Sequence, residues 1–221
     1  MPYVENLTVH DADAHIMETP DWLDRYLDPG IGDRLPERRF VGGVGGTKGL
    51  AEQRFFERMQ AQQADPTYRA QDDELLLIRK NWDAPGSFIS ADRPAVLDGL
   101  GFQSQLIFNT FDSSYINALE HSDDPALAYG VARAHNRAML DFTSIDRRLL
   151  ASCCVPLANF DSAAAMAVEA VKGGAAALLV PSNCPKGHSP SHVDLDRVWA
   201  IAQEAEVPVV FHVGGGGNLI N

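Results

Sequence analysis

The stretch LLASCCVPLANFDSAAAMAVEAVKGGAAALLV, residues 149–180, decides the fold. It opens with an apolar run of strand length, residues 149–157, and closes with a second one, residues 176–180. Between them lies an alanine-rich segment that Asp161 can cap and Gly173-Gly174 can end. Two continuous apolar strands joined by one helix make a β-α-β unit. Strands of this kind are buried on both faces, as in a parallel sheet covered by helices.

The same alternation extends in both directions. Upstream, residues 104–109 (SQLIFN) read as a strand, and Asp124-Pro125 opens a long helix running to about Ile145. Its inner stripe is Leu127, Val131, Ala134, Ala138 and Phe142. Residues 94–100 read as a short helix that Gly101 closes. Downstream, residues 194–205 form a helix that turns Leu195, Val198, Trp199 and Ala202 inward, and residues 208–213 (PVVFHV) form a strand. A first strand lies near the N-terminus, residues 7–15 (LTVHDADAH). After it, Thr19-Pro20 reads as a helix start, with Trp22, Leu23, Tyr26 and Leu27 at helical spacing up to Pro29-Gly30.

Residues 30–90 interrupt this regularity. Residues 50–63 are charged and helix-prone, with Phe55, Phe56 and Met59 on one side. The glycine-rich residues 42–48 are not a phosphate loop, because Lys48 is followed by Gly49 and not by Ser or Thr. The section is expected to be an insertion between strands one and two that covers a site, not a separate domain.

Composition narrows the function. The chain has 221 residues, 45% hydrophobic and 22% charged, which fits a soluble globular protein. A net charge of −12 argues against nucleic acid or an anionic membrane as partner. No apolar run has the length of a membrane span, and no signal-peptide pattern opens the chain. Cys153, Cys154 and Cys184 form neither a disulfide framework nor a zinc-finger spacing, and read as incidental thiols in a reducing cytoplasm.

The chemistry gathers at two strand ends. Side chains alternate along a strand, which puts Asp11, Asp13 and His15 on one face. Such a group is costly to bury without a shared partner, and a divalent cation is one. The pattern is also that of a solvated strand end beside a helix cap. His212 leaves the apolar fifth strand at its C-terminal end. The glycine run after it, residues 214–217, lacks the spacing of a dinucleotide fingerprint. In a parallel barrel the ends of strands one and five open on the same mouth, so Asp13, His15 and His212 are expected to converge. Three ligands with positions left open describe a catalytic metal site.

These residues carry a resemblance. Asp11-Ala12-Asp13-Ala14-His15 with Glu18 and Pro20, the segment from Asp141-Phe142 through Arg147-Arg148-Leu149 to Val155-Pro156-Leu157, Val198-Trp199-Ala200, and residues 208–214 occur in this order. The chain so resembles the amidohydrolase superfamily, in the branch of aminocarboxymuconate-semialdehyde decarboxylase and the resorcylate-type decarboxylases. The resemblance implies an α/β fold that is part of a (β/α)8 barrel, about strands one to five, making residues 1–221 one barrel domain incomplete at its C-terminus. It implies one divalent metal ion on Asp13, His15 and His212, zinc first and manganese as the alternative. No lysine ends the fourth strand at Leu179-Val180-Pro181, so the modified lysine of two-metal relatives is not expected. The implied activity is non-oxidative decarboxylation of a small aromatic or unsaturated carboxylic acid in the cytoplasm, by a protein able to form a homodimer when complete. The acid or base is expected beyond Asn221, and the isolated chain is expected to be inactive and poorly soluble. Hydrolysis of an amide, ester or lactone, and a non-catalytic short paralogue, stay open as alternatives.

Other candidates read as structural. His188 and His192 lie in a proline-rich loop, expected to be solvated. Asp11 is expected to orient a ligand. Glu18 reads first as the carboxylate of the helix start that follows strand one, with a place behind the ligands as the alternative, and His135-Asn136-Arg137 reads as part of the long helix's packing.

Overall fold

A computed structural model describes residues 2–36, 50–69, 71, 74 and 76–212. Among them, five strands form one sheet: β1 His10–His15, β2 Ser104–Phe108, β3 Leu149–Cys154, β4 Ala177–Val180 and β5 Val209–Phe211. Their order in space is their order in sequence, and every neighbouring pair is parallel. Each crossover therefore steps one strand in the same direction. That curls the sheet into the wall of a half-barrel, a partial α/β barrel, instead of reversing it as in an open doubly wound sheet. The helices are α1 Leu50–Ala64, α2 Pro66–Arg69, α3 Arg93–Leu100, α4 Asp112–Glu120, α5 Ala126–Thr143, α6 Phe160–Gly173 and α7 Asp196–Glu204.

The β-α-β unit at residues 149–180 sits at the centre. All of β4 and nearly all of β3 are buried. The stripe Leu127, Val131, Ala134, Ala138 and Phe142 of α5 is buried against the sheet. Asn136 lies on the same buried side. Its Oδ1 accepts the Cys154 N–H at 2.7 Å and its Nδ2 donates to the Cys154 carbonyl at 2.9 Å, tying α5 to the end of β3. Cys153 and Cys154 are enclosed here, and burial pushes the Cys153 thiol up to about 12. Among the described residues, no helix is long and apolar enough to cross a membrane.

Several local expectations are corrected. The segment after β1 is a chain of turns, with Trp22 N–H bonded to Thr19 O and Tyr26 N–H to Leu23 O. The Thr19 hydroxyl donates to Asp21 at 2.6 Å and caps no helix. The α6 cap is Asn159, whose side chain accepts from Ser162 N–H, while Asp161 pairs with Arg197 at 2.7 Å. Asp124 likewise caps nothing, because it takes Arg34. Helix α4, between β2 and Asp124, is an addition to the elements read from sequence. The closure of α3 by Gly101 stands: its φ is +78°, and a Cβ there would lie 2.2 Å from the Val4 carbonyl oxygen.

Part of the irregular section packs close to the strand ends. Phe56, Met59 and Trp82 form a small core with Met17, Phe88 and Phe111. Trp82 stacks on Phe111 at 5.2 Å, and Met17 N–H donates to Ser87 O at 2.7 Å. Residues 42–48, the Phe55 side chain and residues 214–217 lie outside what is described.

Candidate metal centre

The strand that carries the first two candidate ligands is bulged. Its pairing with β2 runs His10 to Ser104 and Asp11 to Gln105, then Ala14 to Ile107 and His15 to Phe108. Three steps on β1 thus match two on β2, and one extra residue breaks the alternation. Asp11 and Asp13 therefore part company, a correction to the single face read from sequence. The Asp11 carboxylate accepts from Gln105 Nε2 at 3.1 Å, and Gln105 Oε1 accepts from the buried Arg93 at 3.0 Å. Asp11 still bears on Asp13, because its Oδ1 accepts the Asp13 N–H at 3.0 Å and pins the bulge.

Asp13, within the bulge, and His15, beyond it, meet His212, which follows directly on β5. Asp13 Oδ1 lies 3.4 Å from His15 Nε2 and 2.9 Å from His212 Nε2. The two imidazoles sit edge to face at 5.0 Å, and the His212 ring leans on Phe108 at 4.9 Å. One potential ligand atom from each of the three residues lies within 4.8 Å of the others. The Asp13 side chain is 71% exposed, which leaves room for further ligands.

The protonation of His15 can be read from its surroundings. Its Nδ1 is 2.8 Å from the Asn109 carbonyl and 3.2 Å from Thr110 Oγ1. A carbonyl only accepts, and the Thr110 hydroxyl already donates its proton to Ile16 O at 2.6 Å. Nδ1 must therefore carry the hydrogen. In the neutral ring that leaves a lone pair on Nε2, facing a carboxylate oxygen that also only accepts. These two acceptors at 3.4 Å are reconciled either by a proton on Nε2 or by a bound cation. This donor set fits a divalent ion, with the second nitrogen of His15 held as metal-binding histidines usually are.

A second group of ionisable side chains lies deeper: Glu18, Asp112 and His135, all fully buried. The Asp112 carboxyl lies 2.7 Å from His135 Nδ1, which the Trp22 indole N–H also reaches at 3.3 Å. Glu18 lies at the N-terminus of α4, not in a helix following β1 as its position in sequence implied. Its oxygens accept from the main-chain N–H groups of Thr110, Phe111 and Asp112 at 3.0–3.2 Å. Amide hydrogens converging on it make this an anion's pocket, not a cation's. Burial and the Asp112 carboxylate push Glu18 up to about 7, against the lowering pull of His135 and the amides. The folded state then holds the Glu18 proton between the ordinary carboxylate range and pH 7, where the unfolded chain has lost it. Native protons exceed unfolded ones in that window, so this contribution to stability is full below it and is lost as pH rises through about 7. Urea melts at pH 5 to 8 should show the fall, and Glu18→Gln should flatten it relative to the parent. Parallel pH profiles in both proteins would contradict this.

A small pocket of about 30 Å³ adjoins His212. Ile116, Leu179 and Val180 give it an apolar body, and Ser113, Asn117 and Ser182 add polar atoms at its lining. His188 and His192 do other work. Both pack against Phe160, at 4.5 and 4.7 Å, and His188 Nε2 bonds to the Leu157 carbonyl at 2.9 Å.

Solved structures share this architecture. An amidohydrolase, map2389c, from Mycobacterium avium subsp. paratuberculosis K-10 is 24% identical with a TM-score of 0.71, over 95% of this chain and 60% of its own. The 5-carboxyvanillate decarboxylase LigW2 from Novosphingobium aromaticivorans DSM 12444, with manganese and 3-methoxy-4-hydroxy-5-nitrobenzoic acid bound, is 16% identical with a TM-score of 0.52. That match covers 94% of this chain and 51% of the decarboxylase, so the chain spans little more than half the length of the proteins it resembles. At these identities the likeness speaks for the fold. No curated protein sequence matches the chain. The sequence pattern of the amidohydrolase family (Amidohydro_2) matches residues 10–220, from the first residue of β1 to beyond β5, and the chain belongs to that family.

Proposed function

We propose that the protein carrying this chain binds one divalent ion through Asp13, His15 and His212 and removes CO2 without oxidation from a small aromatic or unsaturated carboxylic acid. The observation that carries the metal reading is the convergence of Asp13, His15 and His212, with acceptors facing His15 Nδ1 so that its Nε2 is the atom turned toward Asp13 Oδ1. A bound divalent ion supplies Lewis acidity at this position. Asn109 and Thr110 hold His15 in orientation, and the pocket beside His212 offers an apolar wall to the body of the substrate. The bond from the substrate carbon to its carboxylate breaks, CO2 leaves, and the electron pair left on carbon takes up a proton.

Three features support decarboxylation. β4 ends at Leu179-Val180-Pro181 with no lysine, in keeping with a single metal. The pocket has a largely apolar lining, which favours loss of a charged carboxylate. A protein of this fold, the carboxyvanillate decarboxylase, carries manganese together with a nitrobenzoic acid, so one divalent ion beside a small aromatic acid is chemistry the fold accommodates. The aromatic group of Phe56, Trp82 and Phe111, seated at the ends of β1 and β2, would form part of a cover over the site. The metal-loaded protein should release CO2 from members of a panel of hydroxybenzoic and muconate-type acids, with solvent deuterium entering at the vacated carbon. Turnover of lactones or esters with oxygen from labelled water, and no CO2 from any acid, would make it a hydrolase instead.

A further inference from the structure

Outside the three candidate ligands, the most heavily hydrogen-bonded buried side chain near the site is Glu18. Its carboxylate lies three residues beyond His15, at 0% exposure, and makes five contacts with three consecutive main-chain amides. Those amides belong to Thr110, Phe111 and Asp112, the junction between β2 and α4. Free N–H groups at a helix N-terminus are satisfied by such acceptor oxygens, and the helix dipole favours whatever negative charge they carry. Behind the junction, Asp112 is held in turn by His135, whose ring packs against Trp22 at 6.3 Å.

The same junction holds His15. The Asn109 carbonyl and the Thr110 hydroxyl both face Nδ1, and Thr110 Oγ1 also donates to the Ile16 carbonyl. Ring orientation and proton placement at His15 therefore depend on where residues 109–110 sit. Glu18 is the side chain that fixes the adjoining amides from below. We infer that Glu18 is a positioning residue for the metal centre, acting through the Thr110–Asp112 amides to keep His15 in its Nδ1–H form with Nε2 toward Asp13. The inference rests on the metal reading for its purpose, but its first step, from Glu18 to the His15 proton, does not require an ion.

Glu18→Gln is the informative change. Its amide oxygen can keep the three contacts that Oε1 makes, while its NH2 group is turned against the Thr110 and Phe111 N–H groups that now reach Oε2. Glu18→Asp keeps the carboxyl group and withdraws it by one methylene. Nitrogen-15 shifts of the His15 ring, recorded in metal-free protein, report the tautomer. Cobalt(II) titration, followed by the visible bands of the bound ion, reports the affinity. The parent should show protonated Nδ1. Both variants should show a mixture of tautomers and a cobalt affinity about 10–100-fold weaker, the size expected for loss of an outer partner of a ligand. Their melts should stay cooperative. Unchanged His15 shifts in both variants would overturn the inference. So would loss of cooperative folding in both, because Glu18 would then hold the fold as a whole and not His15. A parent that binds no cobalt, with the tautomer change still present, would sink the metal reading and leave the link from Glu18 to His15 standing.

Discussion

His212→Ala should cost the protein at least about 100-fold in divalent-metal affinity, more than the 10–100-fold typical of an outer partner. His212 Nε2 and His15 Nε2 flank the same Asp13 oxygen, at 2.9 and 3.4 Å. Removing one imidazole leaves a single nitrogen and a carboxylate that is largely open to water. Water then competes for the position the ring held. The ring also touches Phe108 and His15 and bonds to Asp13, so melts of the metal-free variant belong beside the metal measurement to separate ligand loss from lost packing. Metal content by mass spectrometry and competition against a chelator would read the change. His188→Ala is the matched control, because that ring bonds to the Leu157 carbonyl and packs on Phe160. Full stoichiometric metal in His212→Ala would remove His212 from the site.

The largest effect on stability should come from Asn136→Ala. Asn136 is 4% exposed and satisfies both main-chain groups of Cys154, at 2.7 and 2.9 Å. Alanine leaves a buried N–H and a buried C=O without that partner. Each such group costs about 1–3 kcal/mol, so a loss of about 2–6 kcal/mol is expected. For a chain of this size that lowers the melting temperature by roughly 4–24 °C. The damage falls where β3 ends and the lining of the pocket begins, since Cys154 belongs to both. Denaturant melts would measure it, and a change within about 0.5 kcal/mol, the range of a neutral surface substitution, would show that water or relaxation replaces both bonds.

Much of this architecture is legible in local pattern. The apolar runs at residues 104–109, 149–157, 176–180 and 208–213 are strands because nothing polar interrupts them, and the segments between them are long enough for covering helices. Parallel pairing follows, since a strand reached through a helix returns in the same direction. That direction brings the ends of β1 and β5 to one mouth, so Asp13, His15 and His212 can be grouped although 199 residues separate the first and last. Cap assignment was less secure for a physical reason. Asn159 and Asp161 are both good caps two positions apart, and which one serves depends on how Phe160 and Arg197 pack.

The amino-acid order by itself determined the strands, their parallel sense and the identity of the three converging side chains, because burial and connection length act locally along the chain. Only the tertiary structure decided how those side chains are aimed. The extra residue in β1 exists only against β2, so no period read along β1 could separate Asp11 from Asp13. Glu18 looked like the start of the next helix, yet it reaches amides more than 90 residues away. Asn136 could be assigned to a helix but not to Cys154. Each of these is a polar group whose partner is set by proximity in space, and hydrogen bonding leaves no periodic trace in sequence as apolar burial does.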